Sequence, residues 1–515
     1  MKKKVIKHAA LSVLSGVLLA LSFPPFEIAF LGWVGLVPLI YVISEDKKKS
    51  GFLWGYISGI VFFGCTLYWM TNITVPGMVV LIGALSLFYG LFGICVRYAF
   101  AKSVNLLVLP FFWVILEYTR SNIFTGFPWA GLGYSQYENT SIMQIADITG
   151  TYGISFLMVA FSVAVFAFIK RMPKRTRYMV KVLLLLVAVT VYGINRMNTL
   201  SADGSIAISV IQGNVPQKEK WDAGFAEEIV DKYTDLSVEA AKDSPDVIVW
   251  PETSYPYLIE GDPRLYADLN KLLDVTDVPI LLGGVYLEDD RYFNSAVFLD
   301  KKADEIITYK KTHLVPFGEY IPFKEKLYFL REYIDKPIGD FTKGKERVLF
   351  PVTVTNSDIS KDGTRMRRTR FLKFGALICF EDIFPYITRE YRREGADFVV
   401  NMTNDAWFGR TAASRQHLQA SVFRAIENRC PVIRSANTGI SCFISAKGKV
   451  SSVIEEGGKE IFVDGQKTNK VEIYSDRSFY TTYGDAFVFL NFLVLLMVFL
   501  VNSPFFIRWK KNIKF

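Results

Sequence analysis

The stretch that decides the fold reads FGALICFEDI and occupies residues 374–383. An apolar run of this kind is typical of a strand buried under helices, and the acidic pair Glu381-Asp382 favours a helix start just after it. Cys379 therefore lies at a predicted strand–helix junction. A thiol at a helix N-terminus is expected to have a lowered pKa. A lone cysteine is more often buried and inert, but the two acids that follow Cys379 argue against a purely apolar burial.

Short apolar, β-branched runs alternate with helical stretches on both sides of this junction. Strands are predicted at residues 206–211, 247–250, 280–285, 296–299, 374–379, 398–402 and 432–435. Helices are predicted near residues 224–242, 263–275, 383–394 and 411–429. The alternation predicts an α/β domain over residues 200–480, with its strands buried under helices, and leaves open whether there is one sheet or two.

Two further segments place charged groups beside apolar runs. In residues 246–252 an apolar strand stops at a proline and Glu252 follows, at the edge where α/β sheets often bind ligands. In residues 309–320, Lys310 and Lys311 lie among apolar and aromatic neighbours. Taken singly, the first segment also fits a solvated loop, and the second fits a basic surface strand that runs into a turn.

Together the three segments predict a thiol mechanism. Glu252 is the candidate base for the Cys379 proton, and Lys311 with the backbone N–H after the cysteine is the candidate support for a negative tetrahedral intermediate. The alternative is a Cys–His pair that uses His313 or His417. It is less favoured, because no acidic residue lies at a position in the sequence that would predict it to orient either histidine. The histidines are also too scattered for a zinc site, so neither a metal nor another cofactor is expected.

The rest of the chain is strongly apolar. Hydrophobic residues make up 51% of the 515 residues and are concentrated in 8–199 and 484–502. Because a spanning helix needs about 20 largely apolar residues, eight spans are predicted, at roughly 8–22, 30–44, 51–70, 78–99, 104–119, 152–169, 179–198 and 484–502. The predicted organisation is a transmembrane domain of seven helices in residues 1–199, a catalytic domain in 200–480, and an eighth helix with a cytoplasmic tail in 481–515.

The distribution of charge predicts the orientation of these spans. The N-terminus, alternate loops and the C-terminal tail hold nineteen lysines and arginines, whereas the opposite short loops hold only Arg120. By the positive-inside rule, the domain over residues 200–480 faces away from the cytoplasm. The net charge of +9 is explained by membrane anchoring, so no nucleic-acid partner is expected.

Two features of the apolar half have a structural interpretation beside a functional one. Gly51, Gly55 and Gly59 recur every four residues, which favours close helix packing over a ligand role. The aromatic loop GFPW, residues 126–129, fits an interfacial belt and the rim of a lipid-accessible cleft about equally well.

Three strings carry a family resemblance: WPE at 250–252, KTHLVPFGE at 311–319 and ICFE at 378–381. They resemble the Glu–Lys–Cys signature of the nitrilase, or carbon–nitrogen hydrolase, superfamily. With its apolar half included, the chain closely resembles the bacterial apolipoprotein N-acyltransferase family nearly from end to end. Further matching strings are GFPW at 126–129, QGNVPQ at 212–217, KW at 220–221 and NDAWFG at 404–409.

The resemblance implies an α-β-β-α sandwich with a catalytic triad, two supporting acids and two tryptophans near the substrate cleft. These residues are Glu252, Lys311 and Cys379; Glu319 and Glu381; and Trp221 and Trp407. Trp129 and Phe408 are further candidates for apolar walls around a thioester.

The resemblance also implies a reaction and a location. An acyl chain passes from a membrane phospholipid to the cysteine, and then to the α-amino group of the N-terminal diacylglyceryl-cysteine of a lipoprotein. The enzyme lies in the bacterial inner membrane with its catalytic domain in the periplasm. Its expected partners are therefore the phospholipid donor, the diacylated apolipoprotein acceptor and the membrane itself.

Two stretches depart from the family pattern or stand out from it. Phe380 follows the nucleophile where a tyrosine is usual; the backbone N–H survives this change, whereas a hydroxyl contact does not. The stretch over residues 361–370 is unusually basic, which favours a solvated hairpin loop over attraction to anionic lipid head groups.

Two competing functions are weighed against the acyltransferase. A membrane-anchored amidase or nitrilase with water as acceptor would use the same triad, but eight spans favour a lipid substrate. A transporter or receptor would need charged groups inside the spans, and these are scarce apart from Glu117 and Arg97 near segment ends. The sequence therefore predicts a membrane-bound enzyme that moves an acyl group from a lipid to an amine.

Overall fold

The computed structural model describes residues 2–46, 50–259, 263–301, 306–321, 340–359 and 365–503. The chain divides into two compact units. The first takes residues up to 71, 75–199 and from 483 onward, and the second takes 72–74 and 200–482. In its described part the first unit is helical, whereas the second combines helices with two sheets.

The helices of the first unit that precede the second unit begin and end at the following residues. They are α1 Lys2–Ala20, α2 Ala29–Val34, α3 Val37–Glu45, α4 Gly51–Thr66, α5 Val75–Ala101, α6 Leu109–Asn122, α7 Thr140–Met143, α8 Ala146–Thr149, α9 Thr151–Ile169 and α10 Arg175–Thr199. Within the described residues, α5, α9 and α10 are long and apolar enough to cross a membrane. The apolar segments at Ala29–Glu45, Gly51–Thr66 and Ala486–Val501 are shorter.

The predicted span over residues 30–44 is present as an apolar segment but contains a break. The helix α2 ends at Val34 and α3 begins at Val37. Pro38, in the first turn of α3, has no N–H to donate to the carbonyl of residue 34. A proline is favourable at that position because the first N–H groups of a helix have no intrahelical partner.

The helices α4 and α5 approach each other closely along the spaced glycines. A Cβ atom added at Gly51 or Gly55 would overlap the main chain of α5 at Gly93 and Tyr89. Lipid chains are as apolar as a helix surface, so the hydrophobic effect does not drive helices together in a membrane. Small residues that let two backbones approach closely increase the van der Waals contacts that do. The prediction that these glycines serve helix packing is confirmed.

The second unit contains two sheets. Its strands are β1 Gly204–Gln212, β2 Val247–Val249, β3 Leu258–Ile259, β4 Ile280–Glu288, β5 Arg291–Leu299, β6 Ile307–Lys310, β7 Leu349–Ile359, β8 Arg365–Ile378, β9 Phe398–Thr403, β10 Val432–Ala436, β11 Cys442–Ile444, β12 Val450–Ser451 and β13 Gly465–Ile473. One sheet has the order β13-β1-β2-β4-β5-β6, with β3 paired to β4, and the other has the order β12-β11-β10-β9-β8-β7. All seven predicted strands are present. Most of the additional strands are short or polar, whereas β7 is long and its apolar pattern was not recognised in the sequence.

The helices of the second unit cover the two sheets. They are α11 Ala226–Ala241, α12 Pro263–Thr276, α13 Pro385–Glu394 and α14 Ala413–Asn428. The chain then continues through the short helix α15 Phe479–Tyr483 into α16 Ala486–Val501, which belongs to the first unit. Tyr233 of α11 stacks on Trp250 beside the first sheet, at 4.9 Å between ring centroids. Tyr391 of α13 lies against Gly375 of β8 in the second sheet, where a Cβ would overlap the tyrosine ring.

The two sheets pack against each other through their other faces. Phe298 of β5 meets Phe374 of β8 edge-on, with 5.5 Å between ring centroids. The hydroxyl of Ser435 in β10 donates to the carbonyl oxygens of Ile211 and Val249 in the first sheet, at 3.0 and 3.1 Å. The layers therefore run helix, sheet, sheet, helix, which resolves the number of sheets that the sequence left open.

The basic stretch is partly a strand. Residues 365–370 belong to β8 and pair antiparallel with β7, where Arg370 lies opposite Val354. The predicted loop is therefore wrong for these residues, because a long antiparallel partner supplies a ladder that the charge pattern alone did not reveal. Positions 361–364 of the stretch lie outside the described residues.

Candidate active site

The ends of three strands supply the charged groups of the predicted site. Glu252 follows β2, Lys311 follows β6 and Cys379 follows β8. The Nζ atom of Lys311 lies 3.6 Å from Oε1 of Glu252 and 2.9 Å from Oε1 of Glu319. The Lys311 side chain is only 1% exposed, so its ammonium is held by these carboxylates rather than by water.

The charge of Lys311 is maintained by its neighbours. Burial alone would lower the pKa of this lysine, but the charges of Glu319 and Glu252 raise it above its usual value. The second oxygen of Glu319 accepts from the N–H of Val315 at 2.8 Å, which orients the carboxylate. Lys311 is thus a permanent, fixed positive charge, as the sequence predicts for the lysine that turns inward.

Asn294 of β5 joins the two carboxylates, and sequence reasoning missed it. Its Nδ2 atom donates to Oε1 of Glu252 and to Oε1 of Glu319, each at 2.8 Å. The main-chain carbonyl oxygen of Asn294 accepts from the main-chain N–H of Lys311 at 2.8 Å. Because Asn294 lies in an ordinary-looking strand, no local signal in the sequence distinguishes it.

Cys379 begins a short 3₁₀ helix, Cys379–Ile383, and its backbone is strained. Its φ of 53° lies in the left-handed region, which non-glycine residues rarely adopt. Asn401 of β9 donates to the Cys379 carbonyl oxygen at 3.4 Å and helps to hold this turn. The thiol-bearing residue is partly exposed, whereas Cys430 and Cys442 are buried.

The expectation that a helix dipole lowers the thiol pKa is wrong. Burial and the charge of Glu252 raise the pKa of Cys379 well above its usual value, although Lys311 acts in the opposite direction. The helix that starts at the cysteine is a single 3₁₀ turn, so its dipole is too small to dominate. Cys379 therefore carries a protonated thiol at neutral pH, and only a base could turn it into a thiolate.

Glu381 supports the site from within the protein and is buried. Its Oε1 atom accepts from the hydroxyl of Tyr309, from both the N–H and the hydroxyl of Thr312, and from the N–H of His313, at 2.8 to 3.0 Å. Its Oε2 atom accepts from the N–H of Ile378 at 2.8 Å. Glu381 therefore joins the nucleophile turn to the segment that carries Lys311.

The structure gives His313 partners other than the cysteine. Its ring stacks on Phe384 at 3.8 Å between centroids, and Nδ1 lies 2.9 Å from the hydroxyl of Tyr386. Phe380, the residue that follows the nucleophile, meets Phe384 edge-on at 5.2 Å. This aromatic group makes Phe380 a packing residue and offers no support for a Cys–His pair.

His417 lies in a buried, fully charged cluster. Its Nε2 atom is 2.7 Å from Oδ1 of Asp382 and its Nδ1 atom is 3.1 Å from Oδ1 of Asp405. Arg434 Nη1 lies 2.9 Å from Oδ2 of Asp382. Burial opposes the charge, but the two aspartates raise the pKa of His417 to about 9. A histidine that is already protonated at neutral pH cannot act as the base of a Cys–His pair.

The predicted substrate residues differ in exposure. Trp221 is 53% exposed, and Trp407 and Phe408 are partly buried on a 3₁₀ helix over Asp405–Phe408. Trp129 is 4% exposed and packs on Trp69, with 5.1 Å between ring centroids. The Trp129 side chain is therefore not exposed, as either an interfacial belt or the rim of an open cleft would require. Its loop places the indole inside the protein.

Two of the strings behind the resemblance come together. The Nδ2 atom of Asn404, before the 3₁₀ helix of Trp407, donates to Oε1 of Gln217 at 2.8 Å. Asn437, after β10, bonds the N–H and the carbonyl of Val215 at 2.9 and 2.8 Å. The hydrogen bond between Asn404 and Gln217 therefore links residues 404–409 to residues 212–217.

Lys220 is a second buried lysine at the site. It belongs to the matching string KW, although no role for it is predicted from the sequence. Its Nζ atom donates to the main-chain carbonyl oxygen of Glu252 at 2.8 Å. In the described part of the chain, no group of three or more His, Cys, Asp or Glu side chains is arranged to hold a metal ion. The site brings together a thiol, carboxylates and the two ammonium groups of Lys311 and Lys220.

Two stretches of the chain match known families. Residues 15–164 match the Apolipoprotein N-acyltransferase N-terminal domain, and residues 207–464 match the Carbon-nitrogen hydrolase family. Among solved structures, an amidase of the nitrilase superfamily from Nesterenkonia is 15% identical, with a TM-score of 0.38. That match covers 56% of this chain and 98% of the amidase.

Relatives of known name extend over nearly all of the chain. A protein of Geobacter metallireducens named Apolipoprotein N-acyltransferase is 36% identical over 500 residues, covering 93% of this chain and 92% of the relative. One from Brucella suis with the same name is 31% identical over 485 residues, covering 86% and 87%. Because both the helical and the α/β parts are shared with these relatives, the chain belongs to the apolipoprotein N-acyltransferase family.

Proposed function

We propose that this enzyme moves a fatty acyl group from a membrane phospholipid, through a thioester on Cys379, to a lipoprotein. The acceptor is the α-amino group of an N-terminal diacylglyceryl-cysteine. One observation carries the proposal: Glu381 ties the turn of the partly exposed Cys379 to the segment of Lys311, whose ammonium is held by Glu252 and Glu319. The relatives of this chain are named apolipoprotein N-acyltransferases. The carboxylate, ammonium and thiol are the groups that acyl transfer through a thioester requires.

In the first half-reaction, Glu252 takes the proton of the Cys379 thiol, and the thiolate attacks an ester carbonyl of the phospholipid. The ammonium of Lys311 and the N–H of Phe380 stabilise the negative oxygen of the tetrahedral intermediate. Glu252 then gives its proton to the leaving alkoxide. The products are the thioester and a lysophospholipid, so atoms and charge balance.

In the second half-reaction, the neutral α-amine of the lipoprotein attacks the thioester carbonyl. Glu252 accepts the amine proton and returns it to the departing Cys379 thiolate. An amide is formed and the free thiol is restored, with no cofactor needed in either half. Trp221, Trp407 and Phe408 are the proposed apolar side chains that keep water away from the thioester.

The proposed setting is the inner membrane, with eight spans and the catalytic domain in the periplasm. The segments proposed are 1–199 with seven helices, 200–480 with the catalytic domain, and 481–515 with the eighth helix and a cytoplasmic tail. Three long apolar helices and the asymmetric distribution of lysine and arginine support it. The second unit is covalently joined to apolar helices at both ends, since α10 ends at Thr199 and α16 begins at Ala486.

The test is to isolate the acyl-enzyme and offer it different acceptors. Purified enzyme in detergent is incubated with a phospholipid, and the adduct on Cys379 is identified by mass spectrometry. It is then placed in buffer, with a diacylated lipopeptide, or with the same lipopeptide acetylated at its N-terminus. We expect rapid discharge by the free-amine lipopeptide alone, with a triacylated product.

Two outcomes would contradict the proposal. Release of free fatty acid in buffer at the same rate as with the lipopeptide would identify a hydrolase with water as acceptor. Formation of the adduct in a Cys379→Ala variant would show that another group carries the acyl chain.

A further inference from the structure

Three side-chain amides that the proposed mechanism does not use form a hydrogen-bonded chain. Nδ2 of Asn437 donates to Oδ1 of Asn404 at 3.1 Å, and Nδ2 of Asn404 donates to Oε1 of Gln217 at 2.8 Å. These residues follow β10, β9 and β1, which run parallel to the strands that precede Cys379 and Glu252. Asn437 and Asn404 are buried and Gln217 is partly exposed, so the chain runs from the interior of the second unit to its surface.

The main chain of Val215 fixes the direction of this amide chain. Oδ1 of Asn437 accepts from the N–H of Val215 at 2.9 Å, and its Nδ2 donates to the Val215 carbonyl oxygen at 2.8 Å. A main-chain N–H can only donate and a carbonyl oxygen can only accept, so the Asn437 amide cannot be reversed without losing both bonds. Its second N–H then meets Oδ1 of Asn404, which leaves the NH₂ group of Asn404 for Gln217.

The main chain around Asn437 holds the same two neighbouring loops. Its N–H donates to the carbonyl oxygen of Thr403 at 3.0 Å, and its carbonyl oxygen accepts from the N–H of Asn214 at 2.9 Å. Asn214 has a φ of 50°, in the left-handed region that asparagine adopts more readily than most residues. A Cβ atom added at Gly439 would overlap the carboxylate of Asp405. The loop after β10 is therefore packed closely between the loops after β1 and β9.

Each of these two neighbouring loops carries one of the tryptophans expected at the substrate cleft. Gln217 lies in the turn that precedes Trp221, where the carbonyl oxygen of Pro216 accepts from two main-chain N–H groups at 3.1 and 3.2 Å. Asn404 caps the 3₁₀ helix of Trp407, since its Oδ1 atom accepts from the N–H two residues later at 3.4 Å. A change in the amide chain would therefore shift the two tryptophans relative to each other.

We propose that the amide chain of Asn437, Asn404 and Gln217 holds Trp221 and Trp407 at a fixed separation, and that the two indoles together bind the acyl chains of the phospholipid donor. The three amides are positioning residues, because they act through the tryptophans. The identity of the donor rests on the proposed function. Binding of this kind is equally strong in the ground state and the transition state, so it lowers KM without raising the maximal rate.

The test uses two isosteric substitutions in the full-length enzyme, Asn404→Asp and Gln217→Glu, alone and together. In each single variant one carboxamide remains at this contact and can donate to the new carboxylate, so the hydrogen bond is kept. In the double variant two carboxylates face each other and no donor remains. Formation of the Cys379 acyl adduct is followed by mass spectrometry against phospholipid concentration at about pH 8, where carboxylates are ionised.

The expected result is a strongly non-additive rise in KM. Each single variant should raise the KM for phospholipid by no more than about threefold, and the double variant at least about fivefold beyond the product of the single effects. The maximal rate of adduct formation and the rate of Cys379 alkylation by iodoacetamide should stay within about twofold of wild type. General damage to the site would lower both rates. Asn270→Asp, exposed on α12, is the matched control and should change none of these quantities.

A further variant keeps the test decisive if the double variant does not fold. Gln217→Leu removes the exposed end of the amide chain without placing a charge in the protein, and it should raise KM by at least about fivefold at an unchanged maximal rate. A wild-type KM in folded Gln217→Leu overturns the proposal. So does a double variant whose KM is the product of the single effects, or one in which Cys379 alkylation slows as much as adduct formation.

Failure of this proposal can be told apart from failure of the proposed function. If wild type forms no acyl adduct with phospholipid, the proposed function fails, and the role of the amide chain fails with it. If wild type forms the adduct and the variants show no specific rise in KM, the proposed function stands and only the role of the amide chain fails.

Discussion

Two charged clusters act on the same cysteine, and they are built differently. The open cluster consists of Glu252, Lys311, Glu319 and Asn294. Its charges do not cancel, because it contains two carboxylates and one ammonium. The closed cluster consists of Asp382, Asp405, His417 and Arg434, in which two negative and two positive charges balance while His417 is protonated. Every side chain of the closed cluster is 0 or 1% exposed.

The difference shows which cluster can take part in proton transfer. Adding or removing a proton in a balanced, buried cluster leaves an uncompensated charge, which costs several kcal/mol. In the open cluster, the proposed transfer of the Cys379 proton to Glu252 would move a proton within the site without a change of its total charge. The open cluster is suited to reaction and the closed cluster to holding the nucleophile turn.

The largest expected effect is the loss of the nucleophile. Cys379→Ala should abolish acyl transfer, because the thioester has no other carrier. Cys430→Ala and Cys442→Ala should retain most of it, since both thiols are buried and their pKa values are raised to about 12. Transfer to a lipopeptide by each folded variant is the measurement. Substantial turnover by Cys379→Ala would contradict the thioester.

The next effect concerns the fixed charge of the open cluster. Lys311→Arg should lose acyl transfer nearly as completely as Lys311→Ala, about 100- to 1,000-fold, because a planar guanidinium cannot place its charge at the ammonium position. Lys310→Ala is the matched control and should be mild, since Lys310 is partly exposed and pairs with Glu288 at 2.7 Å. If Lys310 proves essential and Lys311 dispensable, the assignment of the lysine is wrong.

A smaller effect is expected when the link between the two carboxylates is removed. Asn294→Leu deletes two hydrogen bonds to charged oxygens, each worth about 1.5–3 kcal/mol, so kcat/KM should fall at least about tenfold. Asn294→Asp should be no better, because it places a third negative charge between Glu252 and Glu319. Wild-type kinetics in Asn294→Asp would show that the amide does not orient these carboxylates.

The smallest effect on chemistry, but a large one on stability, is expected in the closed cluster. His417→Gln should lower the free energy of unfolding by about 3–5 kcal/mol, as breaking a buried pair does, while the folded fraction keeps a normal rate of acyl-enzyme formation. His313→Gln is the control and should leave the melting temperature nearly unchanged, since its ring stacks at a partly exposed position. A tenfold slower rate in folded His417→Gln would instead make the closed cluster part of the reaction.

The closed cluster also predicts a dependence of stability on pH. The pKa of His417 is raised from 6.5 to about 9, so its stabilisation is complete below about pH 6.5 and is lost as pH rises through about 9. The wild-type melting temperature should therefore fall across this window by more than that of His417→Gln. Parallel curves for the two proteins would mean that His417 is not charged in the folded state.

The sequence predicts the parts of this site that follow directly from a strand. Glu252 and Cys379 stand at the ends of apolar runs, so their position at a sheet edge can be predicted from local pattern. Lys311 can be selected because its neighbours are apolar and aromatic. The full number of spans and the role of each site residue remain predictions.

Other parts depend on contacts between distant segments. Lys220 meets Glu252, Asn294 meets Glu319 and His417 meets Asp382 only after strands of both sheets have paired, and no spacing in the sequence marks these pairs. The raised thiol pKa was missed for the same reason, because burial and the Glu252 charge outweigh the local helix. Trp129 was expected at a surface, but its loop turns inward where Arg120 donates to the Trp129 carbonyl oxygen at 2.7 Å.

The pairing of β1 with β13 has a consequence for how the enzyme is made. The first strand of the second unit lies beside the last, with Gly204 opposite Ile473 and Gln212 opposite Gly465. During synthesis, β1 emerges long before its partner, and its edge stays unpaired until about 260 further residues have been added. A ribosome that stalls before residue 465 leaves a nascent chain with an open apolar strand edge, a site for aggregation or proteolysis. Completion of the first sheet is therefore a late event in the synthesis of the chain.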